Sequence, residues 1–201
     1  MYRAKTFIRL LVAAAVVLAG VLAVSGQSES RQLEPSYQVS LQFVMGTNEG
    51  GKSELPANLA EIAKDLRNDF GFSNYRVAGT LFGRVGNNGN YEYKSVSNIF
   101  GQESTAGTPT FLEWTIAGMH SVPSDKGRAF EGSAFRFGAR VPVMLPHDDG
   151  GKTSMAVSYE NVGITAMHFG LADNTPTLIG TISLPGTPGT IFLVMTARTA
   201  D

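Results

Sequence analysis

From residue 37 to residue 198 the sequence is built of short runs in which apolar and polar residues alternate, separated by clusters of turn formers. This pattern restricts the fold more than any other feature. In YQVSLQFVM, Tyr37, Val39, Leu41, Phe43 and Met45 alternate with Gln38, Ser40 and Gln42, which marks a strand with one face in a core and one towards water. YRVAGTLFGRV (75–85), YEYKSVSNIF (91–100), TFLEWTIAGM (110–119), AFRFGARVPVML (134–145), TSMAVSYENVGITAMHF (153–169), PTLIGTISL (176–184) and TIFLVMTAR (190–198) follow. Between them lie NNGN, SVPSDKG, PHDDGGK, LADNTP and PGTPG, rich in residues that reverse the chain. Asn88-Gly89 tolerates positive φ and predicts a hairpin between the second and third runs.

One segment follows a different period. Leu59, Ile62, Ala63, Leu66 and Phe70 recur at helical spacing, with Glu61, Lys64, Asp65, Arg67 and Asn68 on the other side. Gly71 is placed as the C-cap, with Phe72 folding back on the last turn. Strand 37–45, this helix and strand 75–85 fit a βαβ unit, with the apolar stripe against the inward faces of both strands. Such a unit would set two parallel strands inside an antiparallel fold. The expected class is therefore α+β, mainly β: an antiparallel sandwich or open barrel with one amphipathic helix (about 57–69) packed on a sheet.

The N-terminus bears on compartment. Arg3, Lys5 and Arg9 precede LLVAAAVVLAGVLAV, an uncharged run ending in small residues, the layout of a secretory signal peptide over 1–26. That run is shorter than the roughly 20 apolar residues of a membrane span, so no stable span is expected after cleavage. Residues 27–36 read as a flexible linker and 37–201 as a single mainly-β domain. The protein is expected to be secreted or periplasmic. With no cysteine in the chain, a lipoprotein anchor, disulfides and thiolate metal sites are excluded. Without the three leader cations, the 16 Lys+Arg fall to 13 against 17 Asp+Glu. That balance leaves no basic cluster for a phosphate backbone, and nucleic-acid binding is not expected.

GTNEGGKS (46–53) matches G-x-x-x-x-G-K-[ST] through Gly46, Gly51, Lys52 and Ser53. A phosphate loop requires the helix to begin at the lysine, so that loop and helix amides converge on the phosphates. Pro56 removes a donor from that first turn and drives Leu55 into an extended conformation. The helix should start at or after Pro56, leaving Lys52 outside it. The match is read as a chance one, and nucleotide binding is not expected.

Other chemistry is equally unsupported. His120, His147 and His168 are too far apart in sequence to form a local ligand pair, and His168 reads as a hydrogen-bonded core residue. His147, Asp148 and Asp149 share one turn-forming segment, as a cation site would, yet a lone HDD before two glycines is more often a solvated turn. No nucleophile elbow is present. Trp114 is expected in the core rather than lining a sugar-binding face. No catalytic, cofactor-binding or metal-binding residue is assigned, no cofactor is expected, and the chain is read as non-enzymatic.

Within residues 155–199, VGITAMHFGLADNTPTLIGTISLPGTPGTIFLVMTART resembles the C-terminal strands of bacterial secretin-type β-domains. The corresponding pieces are 164–169, Leu178-Ile179-Gly180 and 191–196, with Asn174-Thr175-Pro176-Thr177 in place of the Gly-Gln pair usual there. The layout is also similar to that of other exported bacterial proteins. The resemblance implies a cell-envelope protein acting by protein–protein interaction or assembly, a secretin-like accessory with a protein partner in the envelope. The alternative reading is an extracellular β-sandwich that binds a ligand or hydrolyses one, with its site in loops 86–90, 120–128 and 146–152.

Overall fold

The computed structural model describes residues 35–49, 55–97, 108–125, 127–149, 152–184 and 189–200, with side chains at all of these except 147–149, 152 and 153. The expected signal peptide at 1–26 and nearly all of the linker lie outside the described residues. Eight strands occur in the order β1 (Ser36–Thr47), β2 (Asn74–Gly86), β3 (Gly89–Ser97), β4 (Thr110–Ser124), β5 (Gly127–Asp149), β6 (Lys152–Ala172), β7 (Thr177–Ile182) and β8 (Thr190–Thr199). Among the described residues one α-helix, α1 (Ala60–Phe70), follows a 3₁₀ turn at Ala57–Leu59 between β1 and β2. The strands form two four-stranded sheets, β2-β1-β8-β7 and β3-β4-β5-β6, in which every pairing is antiparallel. The fold is thus an open α+β sandwich, mainly β, as the alternation predicts.

The inner faces of both sheets make the main core. β1 supplies Tyr37, Val39, Leu41, Phe43 and Met45, the apolar set of its alternation, and β8 supplies Ile191, Leu193, Met195 and Ala197. β4 and β5 answer with Leu112, Trp114, Ile116, Phe135 and Phe137. Trp114 is fully buried, its ring 5.0 Å from that of Tyr91, as expected of a core tryptophan.

α1 corrects one expectation. Leu59, Ile62 and Leu66 pack on the outer face of the first sheet, against Val44, Tyr75, Phe192 and Val194. Phe70 caps this second cluster edge-on to Phe192 at 4.7 Å and stays 42% exposed. The stripe therefore does not meet the inward faces of β1 and β2. Nor are these strands parallel: Thr47 lies opposite Asn74, so the chain returns at the end of the sheet it left and β2 runs back along β1. The connection is a long antiparallel return carrying a helix, not a crossover. Gly71 ends α1 at φ 69°, with its N–H donating to the Arg67 carbonyl at 3.2 Å, and Phe72 packs beside Tyr75 and Phe192.

The turn at Asn87-Asn88 is tight, with Asn88 at φ 55°, but it joins the two sheets rather than a hairpin pair. Its amides explain why. Asn87 donates to the Pro35 carbonyl and Asn88 to that of Met119, so each half of the turn is held by a different layer.

Candidate functional site

Gly46, the first glycine of the phosphate-loop match, is a paired residue of β1, opposite both Tyr75 and Thr190. A Cβ there would come within 2.8 Å of the rings of Phe192 and Phe72, so packing accounts for this glycine. Helical hydrogen bonding begins only after Pro56, whose carbonyl accepts from Leu59 N–H at 2.9 Å, as the proline dictates. Gly51, Lys52 and Ser53 lie outside the described residues.

The two described histidine side chains do come to one place. In β4 the inward residues are even-numbered through Ile116 and odd at Met119. In β5 they pass from Phe130 to Phe135, and in β6 from Ala166 to Phe169. Each strand thus turns two successive residues outward at the same level, and the pairings on either side keep one register. Gly118 (φ 61°) and His168 (φ 53°) take positive φ on this line. His168 is accordingly exposed, not a core residue, because it occupies the step where the alternation skips. His120, Glu131, Ser133 and His168 line a shallow cleft of about 290 Å³. His120 Nε2 lies 3.8 Å from the Glu131 carboxylate and its Nδ1 3.1 Å from the Gly118 carbonyl. Among the described residues, no three His, Asp or Glu converge as a metal site.

The three loops of the alternative reading do not gather. Residues 120–128 and 146–152 are the opposite ends of one strand, β5, which at roughly 3.3 Å per residue spans about 70 Å. His147, Asp148 and Asp149 continue β5 opposite Ser154, Thr153 and Lys152, so they end a hairpin rather than occupy an open loop. Their side chains lie outside the described ones.

A hairpin tip at 148–153 agrees with the sequence, but the length of the hairpin beyond its neighbour strand is the feature sequence reasoning missed. β4 pairs with β5 as far as Phe111 opposite Arg140. Beyond it, nine further pairs from Val141–Glu160 to Asp149–Lys152 form a two-stranded arm with no third strand among the described residues. Alternation puts Pro142, Met144, Pro146, Met155, Val157 and Tyr159 on one face of the arm, an unbroken apolar strip. Met144, Met155 and Val157 are 53%, 54% and 44% exposed. At its base Arg140 stacks over the rings of Tyr159 and Phe111, at 5.5 and 5.9 Å. Beside this base a cleft of about 360 Å³ is lined by Lys94, Phe111, Glu113, Gly138, Arg140 and Asn161. The Glu92 carboxylate, 2.8 Å from Lys94 Nζ, holds that ammonium above its ordinary pKa.

The signal for the arm is present in RVPVMLP, apolar throughout from Val141 to Pro146, and in SMAVSY, where Met155, Val157 and Tyr159 alternate with small or polar residues. Pro142 and Pro146 stand where β5 has become an edge strand, the place a strand proline tolerates.

No family model matches the chain, and no curated protein matches it. Among solved structures, the chain is similar to the T2SS secretin XcpQ from Pseudomonas aeruginosa, determined by cryo-EM. The match has 11% identity and a TM-score of 0.27, and it covers 90% of this chain and 63% of that one. The chain thus spans less than two thirds of that protein's length, and the comparison amounts to a weak structural resemblance to a secretin.

Proposed function

We propose that this is an exported, non-enzymatic cell-envelope protein that acts by protein–protein interaction or assembly, with the β5–β6 arm as its contact element. The arm's apolar face is the observation that carries this reading. A lone two-stranded hairpin is marginal in water, and one with a continuous exposed apolar face gains most from a protein surface that covers it. Methionine suits such a face because its unbranched side chain adapts to a partner's shape. The prolines along the arm withhold amide donors from strand addition, which favours contact through the face over contact through the edge.

The finer form of the reading, an accessory subunit of a secretin-like assembly, rests on the sequence resemblance of residues 155–199. Those residues run through β6, β7 and β8 and take in only residues 155–160 of the arm.

The test is site-specific photo-crosslinking in the native envelope. A crosslinker at Met144 or Met155 should yield a discrete protein adduct, and one at Lys64 on the outer side of α1 should not. Adducts only to lipid, or none at either arm position, would sink the proposal.

A further inference from the structure

The outer face of the first sheet carries a second site, independent of the arm. Read along β1 away from α1, its outward residues are Val44, Gln42, Ser40 and Gln38, so the face passes from apolar beneath the helix to polar beyond it. The cross-strand rows are Phe82–Ser40–Thr196 and then Arg84–Gln38–Arg198. Two adjoining clefts, of about 620 and 150 Å³, lie over these rows, and among the described residues none that lines either carries a side-chain carboxylate. Asn58 and Asn174 close the inner end, and Phe82, 62% exposed, forms a wall with Tyr91.

Both guanidiniums are fixed by neutral acceptors. Arg84 Nε donates to Ser36 Oγ at 2.9 Å, and Arg198 donates through Nε and Nη2 to Gln38 Oε1 at 3.0 and 2.7 Å. Their positions are set, and among the described residues no carboxylate pairs with either charge. Thr196 Oγ1, in the same cleft, is buried without a hydrogen-bond partner.

We infer that this cleft binds an acidic peptide segment in extended form. Arg84 and Arg198 flank one strand, so their backbones are roughly 10 Å apart. Carboxylates on alternate residues of an extended peptide, spaced roughly 7 Å, suit that separation better than one compact phosphate. The Nη groups of Arg84 and Nη1 of Arg198, which bond no described residue, take the carboxylates in charge-assisted hydrogen bonds. The hydroxyls of Ser40 and Thr196 and the amides of Asn58 and Asn174 face the peptide backbone, and Phe82 packs against an intervening side chain.

The test uses fluorescence anisotropy on the full chain, with dye-labelled Gly-Glu-Ala-Glu-Gly and its Gln counterpart. The Glu peptide should bind about tenfold or more tightly, as expected for charged over neutral acceptors. Arg84→Gln with Arg198→Gln should remove that preference at an unchanged melting temperature, while Lys64→Gln keeps it. Equal binding of the two peptides, or a preference that survives the double substitution, would overturn the inference. So would inorganic phosphate displacing the peptide at equal concentration.

Discussion

The outer faces of the two sheets make the instructive contrast. On the first, α1 covers Val44, Phe192 and Val194, so β8 is buried without interruption from Ile191 to Met195. On the second, no helix covers the outer face among the described residues, and apolar side chains stand in water there. Of nine large hydrophobic residues exposed among the described residues, six stand on the outer face of β3–β6: Val96, Phe111, Met144, Met155, Val157 and Met167. The first face packs its apolar part under α1 and is mostly polar beyond it. The other leaves apolar area uncovered among the described residues, which is why the second sheet and its arm are proposed as the contact side.

The sharpest way to break the comparison is Phe192→Ala. This ring meets Phe70, Phe72 and Tyr75 at the centre of the covered face, and its loss should cost about 3–5 kcal/mol. Denaturant melts will register that as a large drop in midpoint. Leu66→Ala, 1% exposed on the helix side of the same cluster, should cost about 2–4 kcal/mol by the same measurement. A wild-type melt for Leu66→Ala would mean that α1 does not clamp this face.

A smaller effect comes from Tyr75, fully buried, whose hydroxyl donates to the Leu66 carbonyl at 2.7 Å. Tyr75→Phe should cost about 1 kcal/mol. Burial raises the Tyr75 pKa above its ordinary 10.0. The folded state then holds its proton more tightly than the unfolded one, so this contribution is complete below about pH 10 and is lost as pH rises beyond it. Melts at pH 9 and pH 11 should differ more for wild type than for Tyr75→Phe.

The smallest effect belongs to the bare face. Met144→Asp with Met155→Asp should change stability by less than about 0.5 kcal/mol while abolishing the adduct from a crosslinker at Val157, on the same face of the arm. A substantial loss of stability there would mean that the arm's face is packed within the chain, and the contrast would fail.

Much of the scaffold was legible because period-2 alternation reports which side of a strand meets a core. The runs at 37–45, 75–85 and 190–198 fall within β1, β2 and β8, and the helix expected over 57–69 within the 3₁₀ turn and α1. Direction was not legible. Leu59, Ile62 and Leu66 identify a buried stripe, but nothing in that spacing says which face of a sheet it covers, or at which end of the sheet the chain re-enters. The contact side was missed for a related reason. Turn formers in PHDDGGK mark a hairpin tip, but nothing in them says that the pairing of β5 with β6 runs nine pairs past the last pair of β4 with β5. The skip in alternation at Gly118, Ser133 and His168 was readable in each strand singly; its alignment across three strands is a fact of register that appears only once they are paired.

Hydrogen exchange along β5 and β6 tests the central claim most directly. In the purified protein, amides at 141–149 and 152–160 should exchange far faster than those of β8, because a two-stranded ribbon opens locally while a doubly covered strand does not. On addition of solubilised native envelope the arm amides alone should become protected. Equal exchange of arm and β8 in the purified protein, or an arm that stays unprotected in the presence of envelope, would contradict the account.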